Sequence, residues 1–173
     1  MEIVEDLAQW QADYEQGWLA HFKETGQLDF ARYVHPNNKS APTGPGIDLS
    51  QSRLALISSA GTYLRDTQEP FNASDPLGDY TIRLFPSTTS FEALAYAHDH
   101  YDHTAVLTDP QVLLPLHHLA DLVREGVIGQ LAPSVISFSG YQPDLVRVVN
   151  ELIPAVVEAA KSEQVDAALL IPA

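Results

Sequence analysis

Apolar side chains recur at helical spacing over residues 3–24, where Leu7, Trp10, Tyr14, Trp18 and Phe22 are separated by Glu, Gln, Asp and Lys. That period predicts an amphipathic helix whose aromatic stripe docks on a core or a partner, with Gly26 as its stop. Periodicity then lapses. Residues 35–50, "HPNNKSAPTGPGIDLS", are dense in Pro, Gly, Asn and Ser and read as a linker or ordered connecting loop. Beyond it, "RLALISSAG" has the look of a buried strand entering a tight loop, and "YTIRLFP" is a second strand. "STTSFEALAYAHD" opens on a Ser/Thr cap cluster and is expected to continue as a helix, with "TAVLT" as a short strand after it. "DPQVLLPLHHLADLVREG" predicts a helix closed by Gly126, and "APSVISFSG" a strand running into Gly140. "QPDLVRVVNELIPAVVEAAKSEQ" is helical, with Pro143 near its first turn and Pro154 kinking or dividing it, and "VDAALLIPA" is an apolar strand.

Apolar strands that alternate with helices, each strand ending in small or polar residues, argue for an α/β fold. The expected architecture is a partial doubly wound, mostly parallel sheet with an N-terminal amphipathic helical extension. Residues 1–34 form the extension, 35–50 a Pro/Gly-rich connection and 51–173 the α/β domain. Ligands of such sheets bind beyond the carboxyl ends of the strands. Those places are residues 58–62, 86–88 and 137–141, and whatever follows Ala173.

Composition narrows the function classes. A chain of 173 residues fits one domain with a sizeable core. No apolar run approaches the roughly 20 residues of a membrane span, and the acidic start "MEIVEDLAQW" does not read as a signal peptide, so a cytoplasmic location is expected. Nine Lys and Arg against 23 Asp and Glu give a net charge of −14, which disfavours nucleic acid and anionic membranes as partners. There is no cysteine, so disulfides, thiolate–zinc sites and a thiol nucleophile are excluded within these residues.

The densest chemistry is "HDHYDH", residues 98–103. As His-x-His-x-Asp-His it matches the pattern that supplies zinc ligands in metallo-β-lactamase-type hydrolases, through neutral imidazoles and a carboxylate. Such a site needs further His and Asp ligands downstream, and only His117 and His118 follow, adjacent to each other on an expected helix. A polar loop at a pocket is the better reading, since an Asp close to a His can fix its tautomer and raise its basicity. "SSAGTY" at 58–63 and "FSGY" at 138–141 read as βα turns with weak anion-binding potential. Arg83, within a strand, is expected to form a salt bridge. No phosphate loop, dinucleotide fingerprint or nucleophile elbow appears.

Taken in order, "LALISSAGTYLRDTQEPFN", "GDYTIRLFPSTTS", "HDHYDH", "VLLPLHHLADLVREGVIGQLAPSVISFSG" and "VDAALLIPA" resemble the selenoprotein B family of glycine, sarcosine and betaine reductases and the related D-proline reductase subunit. The likeness covers about residues 52–173, and "HYDH" with the following "PLHHLADLVREGVIGQLAP" is its most specific part. It implies an oxidoreductase that cleaves a C–N bond of a small amino-acid-like substrate, with a selenocysteine or cysteine as nucleophile. In the family that nucleophile comes directly after a strand resembling "VDAALLIPA", and here the sequence stops at Ala173. The resemblance therefore implies a reductase subunit or fragment that becomes active when completed by a Cys- or Sec-bearing segment. Truncation at a selenocysteine codon, a split protein and an inactive paralogue are the three explanations. By position in such a site, rather than from the resemblance itself, His100 and Asp102 are expected as acid/base or orienting groups and Tyr101 as a hydrogen-bond donor. Ser59, Gly61, His98, His103, Ser137 and Gly140 would border the substrate pocket, with no metal and no cofactor held by this chain. A homo-oligomer or a partner subunit is expected, because an incomplete sheet leaves an open edge. The alternatives are a non-catalytic binding or assembly subunit and a metal-dependent hydrolase.

Overall fold

The computed structural model describes residues 4–40, 44–99 and 101–173. The aromatic stripe folds as expected into one helical rod, α1 (Leu7–Tyr14), a π turn (Glu15–Leu19) and α2 (Ala20–Thr25). Gly26 ends it at φ +69°, its N–H reaching the Phe22 carbonyl at 2.7 Å. Trp10, Tyr14 and Trp18 are buried and pack toward Leu77, Leu145, Val146 and Val149, so the extension is docked on the α/β part. Polar tips are satisfied where the rod meets the following chain. Trp10 Nε1 donates to the Val34 carbonyl at 2.8 Å, and the Tyr14 and Tyr33 hydroxyls both donate to the Pro143 carbonyl. The Tyr14 hydroxyl also accepts from the Leu145 N–H at 3.2 Å.

The strands are β1 (Arg53–Ser58), β2 (Thr62–Leu64), β3 (Arg83–Pro86), β4 (Leu94–Tyr96), β5 (Gln130–Leu131), β6 (Ser134–Ser137) and β7 (Ala167–Ile171). Between them lie α3 (Thr104–Thr108), α4 (Leu116–Arg124), α5 (Leu145–Arg147), a π turn (Val148–Leu152) and α6 (Ile153–Ser162). β1 is central, with parallel partners on both edges. Carbonyls of Ser52, Leu54 and Ser58 accept from Gln130, Ala132 and Phe138 on the β5–β6 side, while the Arg53 carbonyl accepts from Asp166 on the β7 side. β7 pairs with β1 in parallel over Leu54–Ser58. β3 joins β6 antiparallel, so the sheet is mostly parallel with one reversed strand. A separate antiparallel ribbon, β2 with β4, stands beside it.

The α/β expectation holds, and two local elements differ from it. Residues 87–99 are not a helix: a 3-10 turn, Phe91–Ala93, leads into β4, which pairs with β2. Cross-strand pairing at Thr62–Tyr96 and Leu64–Leu94 overrides the helical preference of an Ala-, Leu- and Glu-containing segment. "TAVLT" is not a strand but the helix α3, because the Asp102 carboxylate accepts from the Thr104 N–H at 2.9 Å and starts a helical turn. Pro154 stands in the first turn of α6, where the helical stretch passes from the π turn into α-helix. The wide π turn ahead of it makes room for the ring, and α6 continues. Arg83 forms no ion pair among the described residues. Its Nε donates to the Glu69 carbonyl at 2.9 Å, and its guanidinium lies 4.5 Å from the centre of the Phe71 ring.

One face of the sheet carries the core. Leu54, Leu56, Phe85 and Val135 pack with Leu94 of the ribbon and with Leu114, Leu116, Leu119 and Ile128 around α4. Alternation along β7 turns Ala167, Leu169 and Ile171 to this core and leaves Ala168 and Leu170 outward, Leu170 being 66% exposed. Among the described residues the far edge of β7 has no strand against it. No described helix is long and apolar enough to cross a membrane.

The start of α5 shows a buried carboxylate at work. Asp144 is 5% exposed and caps the helix through the N–H groups of Val146 at 3.1 Å and Arg147 at 3.3 Å. Burial pushes its carboxyl above the usual range, against those hydrogen bonds. A raised folded pKa means that the native state holds the proton more tightly. The stability this group contributes is present below its ordinary pKa and is lost as pH rises through the raised value. Asp144→Asn keeps the capping oxygen and removes the charge. Its urea midpoint should equal or exceed wild type at neutral pH and fall less than wild type's between mildly acidic and neutral pH. A midpoint lowered as far as in Asp144→Ala would contradict this.

Candidate functional site

The carboxyl ends of β1, β6 and β7 converge on a cleft of about 540 Å³, as the strand-end rule for parallel sheets leads one to expect. Ile57 and Ser59 line it from β1, and Phe138, Gly140 and Tyr141 from the turn after β6. Leu170 to Ala173 line it from β7, and His98 from the loop after β4. These are small, aromatic and uncharged side chains around one imidazole. The cleft is therefore shaped for a small molecule and carries no fixed cation of its own.

Two glycines let the walls approach. Gly61 sits at φ +64°, and a β-carbon there would stand 2.5 Å from the Ala97 carbonyl oxygen. Its N–H donates to the Phe138 carbonyl and its own carbonyl accepts from the Ala97 N–H, both at 2.9 Å. This single residue thus ties the ends of β1, β6 and β4 together. A β-carbon at Gly140 would lie 3.0 Å from His98 Nε2 and 3.1 Å from both Ser59 Oγ and the Ser59 carbonyl oxygen, so these polar atoms flank the space that Gly140 leaves open.

His98 is 5% exposed, and its ring packs against that of Tyr101 at 4.9 Å between centroids. The Tyr101 hydroxyl donates to the Ala60 carbonyl at 3.1 Å, and burial raises its pKa further from neutrality, so it remains a donor. His103 reaches back to the His98 carbonyl through Nε2 at 2.7 Å and packs at a tilt against Tyr101, 4.4 Å between centroids. Asp102 is exposed and turned to α3, accepting from Thr104 Oγ1 at 2.6 Å and from the Thr104 N–H, which together hold its carboxyl below the usual range. Ser137 is fully buried and accepts the Thr62 N–H at 2.9 Å, a brace behind the cleft. Ser59 Oγ accepts the Ala173 N–H at 2.9 Å, joining the ends of β1 and β7. His100 lies outside the described residues.

Of the sequence-based site residues, Ser59, His98 and Gly140 therefore face the cleft. Gly61, Tyr101 and Ser137 stand behind it, and His103 and Asp102 are turned to other neighbours. Phe138 and Tyr141 fall within the strand-end segment 137–141 that the sequence marked, though not singled out as wall residues, and Leu170 was missed. No three His, Asp or Glu side chains converge as metal ligands among the described residues. Nothing in this geometry supports the metal-hydrolase alternative.

Known proteins give the comparison. The sequence profile of the family described as glycine/sarcosine/betaine reductase selenoprotein B matches residues 26–172. D-proline reductase subunit gamma of Acetoanaerobium sticklandii is 31% identical over 123 residues, which are 71% of this chain and 49% of that protein. Sarcosine reductase complex component B subunit beta of Peptoclostridium acidaminophilum is 31% identical over 121 residues, 68% of this chain and 28% of the relative. Glycine reductase complex component B subunit gamma of Symbiobacterium thermophilum is 30% identical over 112 residues, 63% and 26% respectively. The chain thus spans half or less of the length of these relatives. No solved structure matches it.

The two glycines generate opposite expectations. Gly61→Ala meets both a positive φ and a backbone oxygen, and should cost about 1–3 kcal/mol or more in denaturant unfolding. Gly140→Ala meets no positive φ, and its contacts with His98 Nε2, Ser59 Oγ and the Ser59 carbonyl oxygen are 3.0–3.1 Å rather than 2.5 Å. It should keep stability within about 1 kcal/mol of wild type while shifting the His98 ring resonances in NMR spectra. Equal stability losses in the two variants would refute this division of roles.

Proposed function

The chain belongs to the glycine/sarcosine/betaine reductase selenoprotein B family, and from that membership we propose that its cleft is the small-molecule half of a reductive site. The thiol or selenol of that site comes from outside these 173 residues. The observation that carries the reading is the cleft itself. It lies at the carboxyl ends of three parallel strands, walled by His98, Ser59 and Gly140, and opens along the end of β7. The chain contains no cysteine. A sulfur or selenium nucleophile has to arrive on further chain or on a second polypeptide.

In the proposed reaction, a thiolate or selenolate would supply the electron pair that forms a bond to the nitrogen-bearing carbon as the C–N bond breaks. The nitrogen leaves with the electron pair of that bond, and as a neutral amine only if it is protonated or fully substituted beforehand. The residues of this chain then have two tasks. His98 and Ser59 would hold the substrate against the open side of the cleft, and His98 would keep the nitrogen end hydrogen-bonded and protonated as it departs. Tyr101 is a positioning residue, pinned to the Ala60 carbonyl and backing the His98 ring. Asp102 would act further out, by fixing the start of α3 and with it the loop that carries His98. The net charge of −14 favours a zwitterionic or cationic small molecule over an anion.

Partners follow from the same reading. The three relatives are named as subunits of reductases or reductase complexes. The free edge of β7, with Leu170 exposed beside the cleft, is where a thiol-bearing partner or segment would join by strand addition.

Binding and turnover test this separately. Ligand-observed NMR with glycine, sarcosine, betaine and D-proline should show saturable binding of at least one of them. His98→Leu should weaken it about tenfold or more while the circular dichroism spectrum is retained. With dithiothreitol as reductant the chain alone should release no amine, and release should appear on adding a Cys- or Sec-bearing partner. Binding of none of the four would overturn the small-molecule reading. Amine release by the chain alone would overturn the external nucleophile. Binding without release in any partnered assembly would leave a binding subunit and remove the reductive role.

A further inference from the structure

Behind the His98–Tyr101–His103 row lies a second cleft, of about 400 Å³, between the β2–β4 ribbon and α3. Its wall combines Tyr63, Arg65, Tyr96 and His103 with apolar side chains that include Phe91 and Val106. It shares no lining residue with the first cleft.

Three observations single it out. In a chain with nine Lys and Arg against 23 acids, Arg65, like Arg53 and Arg83, has no carboxylate partner among the described residues, and of these three it is the one that lines this cleft. One of its Nη atoms donates to the Leu94 carbonyl at 2.9 Å, which fixes the guanidinium over the end of the ribbon and leaves its other N–H groups open. The Tyr96 hydroxyl is buried and has no hydrogen-bond partner among the described residues. An unpaired polar group in the interior is unfavourable, and a ligand acceptor would relieve it. His103 Nε2 bonds the His98 carbonyl at 2.7 Å, which holds its ring in the wall of this cleft.

We propose that this cleft is a second binding site, for a small molecule that carries one carboxylate and a compact apolar group. The planar fork of Arg65 matches a carboxylate through two parallel hydrogen bonds; Tyr63, on the same face of β2, and the unpaired Tyr96 hydroxyl, from the other face of the ribbon, are further donors among the lining residues. Phe91 and Val106 take the apolar end. One guanidinium balances one negative charge, which favours a monocarboxylate over a phosphate. The site is independent of the redox reading of the first cleft, because none of the residues it uses lines that cleft.

The test is a titration of the full 15N-labelled chain with isobutyrate, with inorganic phosphate and isobutylamine as charge controls. Isobutyrate should shift the amides of Tyr63, Arg65, Ala95 and Tyr96 saturably, and neither control should. Arg65→Lys should weaken isobutyrate binding about tenfold and Arg65→Gln should abolish it, both with the amide spectrum of the sheet retained. Tyr96→Phe should weaken binding a few-fold while leaving the protein as stable as wild type or more so, since it removes an unpaired hydroxyl. Absence of saturable shifts with isobutyrate, unchanged binding in Arg65→Gln, or equal binding of phosphate would each overturn the assignment. Shifts confined to Ser59, Gly140 and Tyr141 would place the carboxylate in the first cleft and overturn it as well.

Discussion

Hydrogen bonding of β1 along both of its edges is the constraint from which the rest of the chain takes its position. A strand in that place must be apolar on both faces, and Leu54–Ile57 are buried throughout. Because β5–β6 and β7 run parallel to it, all three strand ends emerge on one side. Parallel neighbours need crossovers, and the crossover from β6 to β7 is the long helix through the π turn and α6. The cleft is a consequence of this pairing. It is the space left where three strands stop together and the chain turns away through Ser59, Gly61 and Gly140.

The loop at 98–103 is placed by the same constraint at one remove. Gly61 couples the end of β1 to the Ala97 backbone, and the β2–β4 ribbon holds the loop across the sheet. Its rings then pack in a row, His98 edge-on and His103 tilted against Tyr101, with His98 lining one cleft and His103 the other. A motif that reads in sequence as a row of metal ligands is used in the fold as a partition. His98 turns to one side and His103 to the other, while Asp102 is committed to the cap of α3.

Much of this was legible in the sequence, and the exceptions have physical causes. β1, β6 and β7 are recognisable because buried parallel strands are continuous apolar runs. The rod at 7–25 is recognisable because its aromatic residues repeat at helical spacing. β4 and α3 were not, since each is five residues or fewer; β4 owes its form to β2, a partner distant in sequence, and α3 to the local Asp102–Thr104 hydrogen bonds. In the site, Ser59, Gly61, His98 and Gly140 could be singled out as small or titratable residues at strand ends and in an unusual loop. Tyr101 and Ser137 could be named but their placement behind the cleft could not. Arg65 and Tyr96 carry no local signal at all. They become conspicuous only when the fold places in one cleft a guanidinium without a carboxylate and a buried hydroxyl without a partner among the described residues.

The central claim is that the strand-end cleft receives a small amino-acid-like molecule beside His98. The most direct measurement is a crystal structure of the chain grown or soaked with betaine, glycine or D-proline, whichever binds in solution. The account predicts the ligand between Ser59, His98 and Gly140, with its nitrogen-bearing carbon toward the open end of β7. A ligand seated elsewhere, with this cleft filled only by solvent, would contradict it.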